Sequence, residues 1–198
     1  MNILNLVQGS PEWLKVREDH FNASEVPSIF GESKYKSRTA LMNEKKGVKE
    51  KVSSHLQKLF DAGHKTEDQA RELLEFETFE TLKPLVCTLE VEGLSLLASL
   101  DGIFEDGKTI FEHKLWNETL AENVRNNVLE PTYYWQLEQQ LLVAEAERAL
   151  FVVSDGTAEK RAQMYYYSIP ERRLKLIAGW HEFKKDLEAH EVKAKKEV

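Results

Sequence analysis

Asp106-Gly107 sits between two short apolar runs, the strongest local signal for a tight two-residue hairpin turn. A turn there pairs Glu105 with Lys108, Ile103 with Ile110 and Asp101 with Glu112. Directly opposed residues of an antiparallel pair share a face, and the strand period of two brings Lys114 onto that face as well. Two facing carboxylates repel and raise one another's proton affinity unless a cation lies between them. A hard divalent metal suits such a pair, and a lysine beside it can position or help deprotonate a water, or stabilise developing negative charge. A solvent-facing charged strand satisfies the same spacing.

The rest of the chain supplies elements to surround this hairpin. Ser10-Pro11-Glu12 before Trp13, Leu14, Val16 and Arg17 reads as a capped helix with Pro11 in its first turn. Asn22-Ala23-Ser24-Glu25 is a second capping signal, with Phe30-Gly31 as its stop. Ser37 caps a third helix that Gly47 ends, and Val52, Leu56 and Leu59 predict a short helix over 50–60. A stronger helix is expected over 65–77, with Glu67, Ala70 and Leu74 on one face. Strands are expected at 85–92, 94–104 and 108–115, with Gly93 turning the first into the second. A helix over 117–129 has the apolar stripe Leu120, Val124, Val128, and a longer one runs from Thr132 to Ala149. Strands at 148–154 and 163–169 and a helix from Pro170 complete an α/β core. The expectation is one domain over 1–198, with a charged end from Lys184 that is helical or frayed.

Composition narrows the function. The 198 residues are 41% hydrophobic and 31% charged, as in an ordinary globular protein. No run is long enough for a membrane span and the N-terminus lacks a secretory pattern, so a cytoplasmic protein is expected. The single cysteine, Cys87, lies in an apolar run and reads as buried. Net charge is −7, yet Lys34, Lys36, Arg38, Lys45, Lys46, Lys49, Lys51 and Lys58 concentrate positive charge early in the chain. That distribution permits a basic channel on an acidic protein.

Several chemistries are disfavoured. The six histidines form no compact zinc pattern, and no glycine-rich phosphate cradle or dinucleotide fingerprint is present. Hydrolysis of a phosphodiester by metal-activated water is the economical reading, with Glu67 as a third carboxylate. Arg17 offers a fork for a terminal phosphate, to which Ser24 can add a hydroxyl. Tyr133, Gln136 and Gln140 share one helix face, where they can meet a phosphate, a water or a nucleotide edge, or only solvent.

Over residues 9 to about 180 the sequence resembles the phage-type alkaline exonucleases related to lambda exonuclease, the YqaJ-like viral recombinase family, within the restriction-endonuclease-like nuclease group. The residues that carry it are Gly9-Ser10-Pro11-Glu12-Trp13-Leu14, Arg17, Asn22-Ala23-Ser24-Glu25, Gly63, Glu67, Ala70, Asp101, Glu112-His113-Lys114 and the helix of Tyr133, Gln136 and Gln140. Ten residues rather than nine separate Asp101 from Glu112. The resemblance implies a restriction-endonuclease-like core, a central mixed β-sheet flanked by helices. It implies a magnesium-dependent, 5′-to-3′ exonuclease on linear duplex DNA, with two Mg2+ per site and Mn2+ as a substitute. Glu67, Asp101, Glu112 and the His113 carbonyl would hold metal, with Lys114 and Gln136 at the reaction centre. Arg17 and Ser24 would take a 5′-phosphate, and Tyr133 and Gln140 are further substrate contacts. A DNA-enclosing homotrimer ring and a single-strand annealing protein are the implied partners, in phage or prophage recombination. A restriction-like endonuclease and a non-catalytic scaffold for DNA ends are the alternatives.

Overall fold

The computed structural model describes residues 1–48 and 54–192. The elements in order are β1 (Asn2–Leu4), α1 (Pro11–Glu18), β2 (Phe21–Asn22), a 3-10 turn (Ala23–Glu25), α2 (Val26–Ile29), α3 (Arg38–Lys45) and α4 (Ser54–Thr78). After these come β3 (Lys83–Val91), β4 (Leu94–Ile103), β5 (Thr109–Leu115), α5 (Glu118–Arg125), α6 (Pro131–Val143), β6 (Arg148–Ser154), β7 (Arg161–Tyr167) and α7 (Pro170–Ala189). The strands make one mixed sheet in the order β1-β3-β4-β5-β6-β7, with β2 added beside β4. β5–β6 and β2–β4 are parallel and the other pairs antiparallel. No described helix is long and apolar enough to cross a membrane.

Both faces of the sheet are covered, which is why its central strands are apolar runs rather than alternating ones. Ile110, Ala149, Phe151 and Val153 join the larger core with α2, α6 and α7. Phe111, Leu150 and Val152 point the other way, into a smaller core under Ala70 and Leu74 of α4. Glu112 and Lys114 alternate with Ile110 and so face α6, whereas His113 follows Phe111.

The hairpin register is the expected one, with Gly102 opposite Phe111 and Ile103 opposite Ile110. Its turn differs. Phe104 and Thr109 close a four-residue loop, Phe104 N–H donating to the Thr109 carbonyl (3.0 Å) and Gly107 N–H to the Phe104 carbonyl (3.0 Å). Asp106 accepts from Lys108 N–H, Thr109 N–H and the Thr109 hydroxyl, which replaces the expected Glu105–Lys108 pair. The two-residue turn lies one hairpin earlier, where Glu92 and Gly93 both take positive φ between Val91 and Leu94.

Three helices depart from expectation. α4 is continuous through Gly63, since a helical glycine costs only about 1 kcal/mol relative to alanine. The start of the helix expected over 50–60 lies outside the described residues. α5 ends at Arg125 because Asn127 turns left-handed and Val128 N–H returns to the Asn123 carbonyl (2.8 Å), leaving Val128 half exposed. α6 ends at Val143 in the same way, with Glu145 left-handed and Ala146 N–H on the Leu141 carbonyl (3.1 Å). α7 continues past Lys184 to Ala189.

Candidate active site

A bulge aims the first carboxylate. Between Leu85–Leu100 and Lys83–Ile103, β4 has two residues, Asp101 and Gly102, where β3 has only Pro84. Such an insertion re-aims a side chain. A Cβ on Gly102 would lie 3.2 Å from the Leu82 Cβ, so only glycine fits without a shift. The opposite flank of β4 is paired by β2 at Leu96–Leu97 and by β5 from Gly102 onward. Side chains serve backbone carbonyls along the intervening stretch. Gln139 Nε2 donates to Leu97 (3.0 Å), Gln140 Nε2 to Ser99 (3.1 Å) and Gln8 Nε2 to Leu100 (2.9 Å). At the end of this opening Asp101 Oδ2 accepts the His113 N–H (2.8 Å).

Glu112 is the centre of the cluster and is only 2% exposed. Its Oε1 accepts from Lys114 Nζ (2.5 Å) and Gln136 Nε2 (2.7 Å), and its Oε2 from Gln140 Nε2 (2.7 Å). Gln136 Oε1 lies 3.4 Å from Lys114 Nζ. Burial opposes the Lys114 ammonium, yet Glu112 and Asp101 outweigh it and raise its pKa above the ordinary lysine value. These two carboxylates thus favour the ammonium form of Lys114. Burial, then Glu112 and Glu67, hold Asp101 well above the usual carboxylate range against the pull of Lys114.

Glu67 reaches this cluster from α4. Burial raises its pKa, with Arg71 opposing and Glu112 adding to the rise. Arg71 Nη1 bonds both Glu67 Oε1 (3.2 Å) and the Asp101 carbonyl (2.9 Å), tying α4 to β4 at the bulge. His64 Nδ1 lies 3.6 Å from Glu67. Among the described residues no three acidic, histidine or cysteine side chains stand in a ready-made ligating group. The donor set nevertheless fits a hard cation. It consists of three acids, of which Glu112 raises the proton affinity of the other two, and carboxylate oxygens suit Mg2+. Beside them Gln140 Oε1 is buried with no hydrogen-bond partner.

His113 points away, as alternation requires. Burial, then Lys114, push its pKa down to about 4, and its Nε2 lies 3.0 Å from Ser154 Oγ. Cys87 is fully buried, and burial pushes its thiol up to about 12.

The predicted phosphate pair is also assembled. Ser10 caps α1 by accepting the Trp13 N–H (3.2 Å), and Arg17, one helical turn on, lies 4.5 Å over the Trp13 ring. Arg17 Nη2 donates to Ser24 Oγ (3.0 Å). The capping box forms between Asn22 and Glu25. Glu25 also pairs with buried Lys45 (3.0 Å), whose Nζ donates to the Arg17 (3.0 Å) and His20 (2.6 Å) carbonyls. Ser99 connects this pair to the carboxylates, its hydroxyl accepting from Trp13 Nε1 (2.9 Å) and its carbonyl from Gln140. Tyr133 packs on Phe151 with ring centres 5.5 Å apart, half-buried and within the field of Lys34 and Lys114.

Sequence reasoning missed Arg71, Lys45 and Gln139. Arg71 was accessible as the residue four after Glu67. The other two act on backbone carbonyls far away in sequence, and Gln139 also accepts from Trp180 Nε1 (2.6 Å) while donating to the Phe21 carbonyl (2.6 Å).

Comparison with solved structures gives the same fold. The alkaline exonuclease of Laribacter hongkongensis superposes with a TM-score of 0.73 at 21% identity, covering 91% of this chain and 93% of that one. The same exonuclease in complex with dAMP superposes equally, at 22% identity with the same coverage. A phage-related exonuclease of Haemophilus somnus follows, with a TM-score of 0.61 at 14% identity, 86% of this chain and 95% of that one. No curated protein matches by sequence. The profile of the YqaJ-like viral recombinase domain matches residues 12–147, more than half of the chain. The chain belongs to the YqaJ-like viral recombinase family.

Proposed function

We propose that this protein is a magnesium-dependent exonuclease that digests one strand of linear duplex DNA from its 5′ end and leaves a 3′ single strand for recombination. The observation that carries the reading is Glu112, a buried carboxylate bonded by Lys114, Gln136 and Gln140 beside Asp101 and Glu67. Family membership and the fold shared with alkaline exonucleases support it.

Glu67, Asp101, Glu112 and the His113 carbonyl would hold two Mg2+, for which Mn2+ substitutes. When bound, such ions lower the pKa of a water and polarise a phosphoryl oxygen. Lys114, kept as an ammonium, donates to the attacking water or to a non-bridging phosphate oxygen. Gln136 orients Lys114 and Glu112 together. Gln140 spends its amide protons on Glu112 and Ser99, so we assign it to holding Glu112 rather than to touching DNA. The Arg17 fork and the Ser24 hydroxyl bind the 5′-phosphate, and Tyr133 lines the approach to Lys114. Three chains in a ring would retain the duplex between cleavages, and a single-strand annealing protein would receive the exposed strand.

The test is a magnesium-dependent time course on linear 5′-phosphate, linear 5′-hydroxyl and covalently closed duplexes. Mononucleotide release from phosphorylated ends, with closed circles untouched, is expected. Internal cutting of circles would favour an endonuclease, and no hydrolysis with Mg2+ or Mn2+ a scaffold.

A further inference from the structure

Two of the three acids of the site sit on different elements, Glu67 on α4 and Asp101 on the bulge of β4, and one side chain touches both. Arg71 Nη1 donates to Glu67 Oε1 (3.2 Å) and to the Asp101 carbonyl (2.9 Å). Its other terminal nitrogen, Nη2, donates to Asp68. The side chain is only 14% exposed, so these bonds are largely shielded from water. Asp101 has no partner residue in the ladders of β4. β3 pairs as far as Leu100 and again at Ile103, β2 pairs at Leu96 and Leu97, and β5 pairs from Gly102 onward. Arg71 thus supplies a donor where the bulge interrupts the pairing, and it takes one oxygen of Glu67 while leaving Oε2 outside the bridge.

The place of α4 does not depend on this bridge. Ala70 and Leu74 are buried in the smaller core. Gln69 packs so closely on the β6–β7 loop that a Cβ on Gly156 would lie 2.8 Å from Gln69 Oε1. Loss of the guanidinium therefore frees the Glu67 side chain and the bulge carbonyl rather than the helix.

Arg71 is also a permanent positive charge beside the acids. Charge and geometry predict opposite effects of removing it. A nearby cation repels a metal ion, whereas a bridge that orients ligands strengthens the site. Glu67 and Asp68 already offset the charge at contact distance, which leaves geometry the larger effect.

We propose that Arg71 is a positioning residue of the metal site, whose guanidinium fixes Glu67 relative to the Asp101 bulge and so strengthens metal binding despite its own charge. The inference rests on Glu67, Asp101 and Glu112 as metal ligands and names what holds two of them together.

The experiment titrates Mn2+ into the DNA-free full chain and reads free Mn2+ by electron paramagnetic resonance, for wild type, Arg71→Met and Arg71→Lys. Methionine keeps an apolar stem without charge or donors. Arg71→Met is expected to bind Mn2+ about 10- to 100-fold more weakly. Arg71→Lys keeps the charge without the fork and is expected to lose a smaller factor. The Mg2+ concentration for half-maximal hydrolysis of linear duplex should rise in the same order. Denaturant melts without metal show which variants are folded, and if Arg71→Met is not, Arg71→Lys decides alone. Wild-type Mn2+ affinity in a folded variant, as a purely structural role gives, overturns the proposal. So does tighter binding by Arg71→Met, as charge repulsion gives. A wild type that binds no Mn2+ overturns it together with the metal ligands. Weakened Mn2+ binding by Arg71→Met in a chain that cuts no DNA supports it while sinking the nuclease reading.

Discussion

Gln140 Nε2 joins Glu112 Oε2 at 2.7 Å to the Ser99 carbonyl at 3.1 Å, so one amide fixes the central carboxylate of β5 against the unpaired stretch of β4. Gln140→Leu strips the donor from two buried acceptors at once, which costs about 1–3 kcal/mol of stability. Misplacing Glu112 should also slow DNA hydrolysis by about 100-fold. Gln136→Leu removes only one of two donors on Oε1, and Gln136 is partly exposed. It should lose a similar share of activity with a smaller loss of stability. Thermal unfolding beside rates on linear duplex separates the two, and equal melting temperatures for both variants would contradict these assignments.

Lys114→Ala should abolish DNA hydrolysis and also destabilise the fold, because it leaves Glu112 buried without its cation. The cost is about 1–3 kcal/mol, reduced from that of a fully buried pair since Lys114 is 30% exposed. Adding Glu112→Gln to Lys114→Ala removes the unpaired charge. The double variant should regain most of the stability and none of the activity, as denaturant melts and a hydrolysis assay will read. A double variant no more stable than Lys114→Ala would count against the pairing.

The hairpin register was legible because turn residues and apolar runs on both sides agree on it, whatever the loop length. The four-residue loop was not, since Asp106 closes it with side-chain bonds that a dipeptide rule ignores. Gly102 carried the missed signal for the bulge, as an isolated glycine inside a strand pattern. The ends of α5 and α6 were overrun because Asn127 and Glu145, not glycines, take the left-handed position. Strands β1 and β2, of three and two residues, are too short for any period to register. Side chains that act on one another, such as Glu112 and Lys114, follow from alternation. Gln139 and Lys45 do not, because their partners, backbone carbonyls together with the Trp180 indole for Gln139 and Glu25 for Lys45, lie far away in sequence.

His113 makes stability depend on pH in a defined window. Its folded pKa of about 4 lies below the ordinary 6.5, for reasons of burial and then Lys114. Between those values the unfolded chain binds more protons, so stability rises with pH and is lost as pH falls from 6.5 towards 4. The full effect is about 3 kcal/mol. Asp101, with its raised pKa, acts in the opposite direction, but it does so in wild type and variant alike. His113→Gln should therefore show a shallower pH slope than wild type across this window in urea melts. Parallel slopes would contradict the assignment.

Arg17 should govern the choice of DNA end. Its fork lies 3.0 Å from Ser24 Oγ and is held over Trp13, while its own carbonyl is pinned by Lys45. The helix that carries it thus stays in place when the side chain is removed. A charge-assisted contact to phosphate contributes about 1.5–3 kcal/mol, which corresponds to roughly 10- to 100-fold in rate at tenfold per 1.4 kcal/mol. Arg17→Ala should lose that factor on 5′-phosphorylated ends and nothing on 5′-hydroxyl ends, so the preference between them collapses. Arg17→Lys keeps the charge without the fork and should recover only part of it. Initial rates on matched duplexes differing only in the terminal phosphate read this directly. An equal loss on both ends would instead mean that Arg17 serves the carboxylate cluster through Trp13 and Ser99.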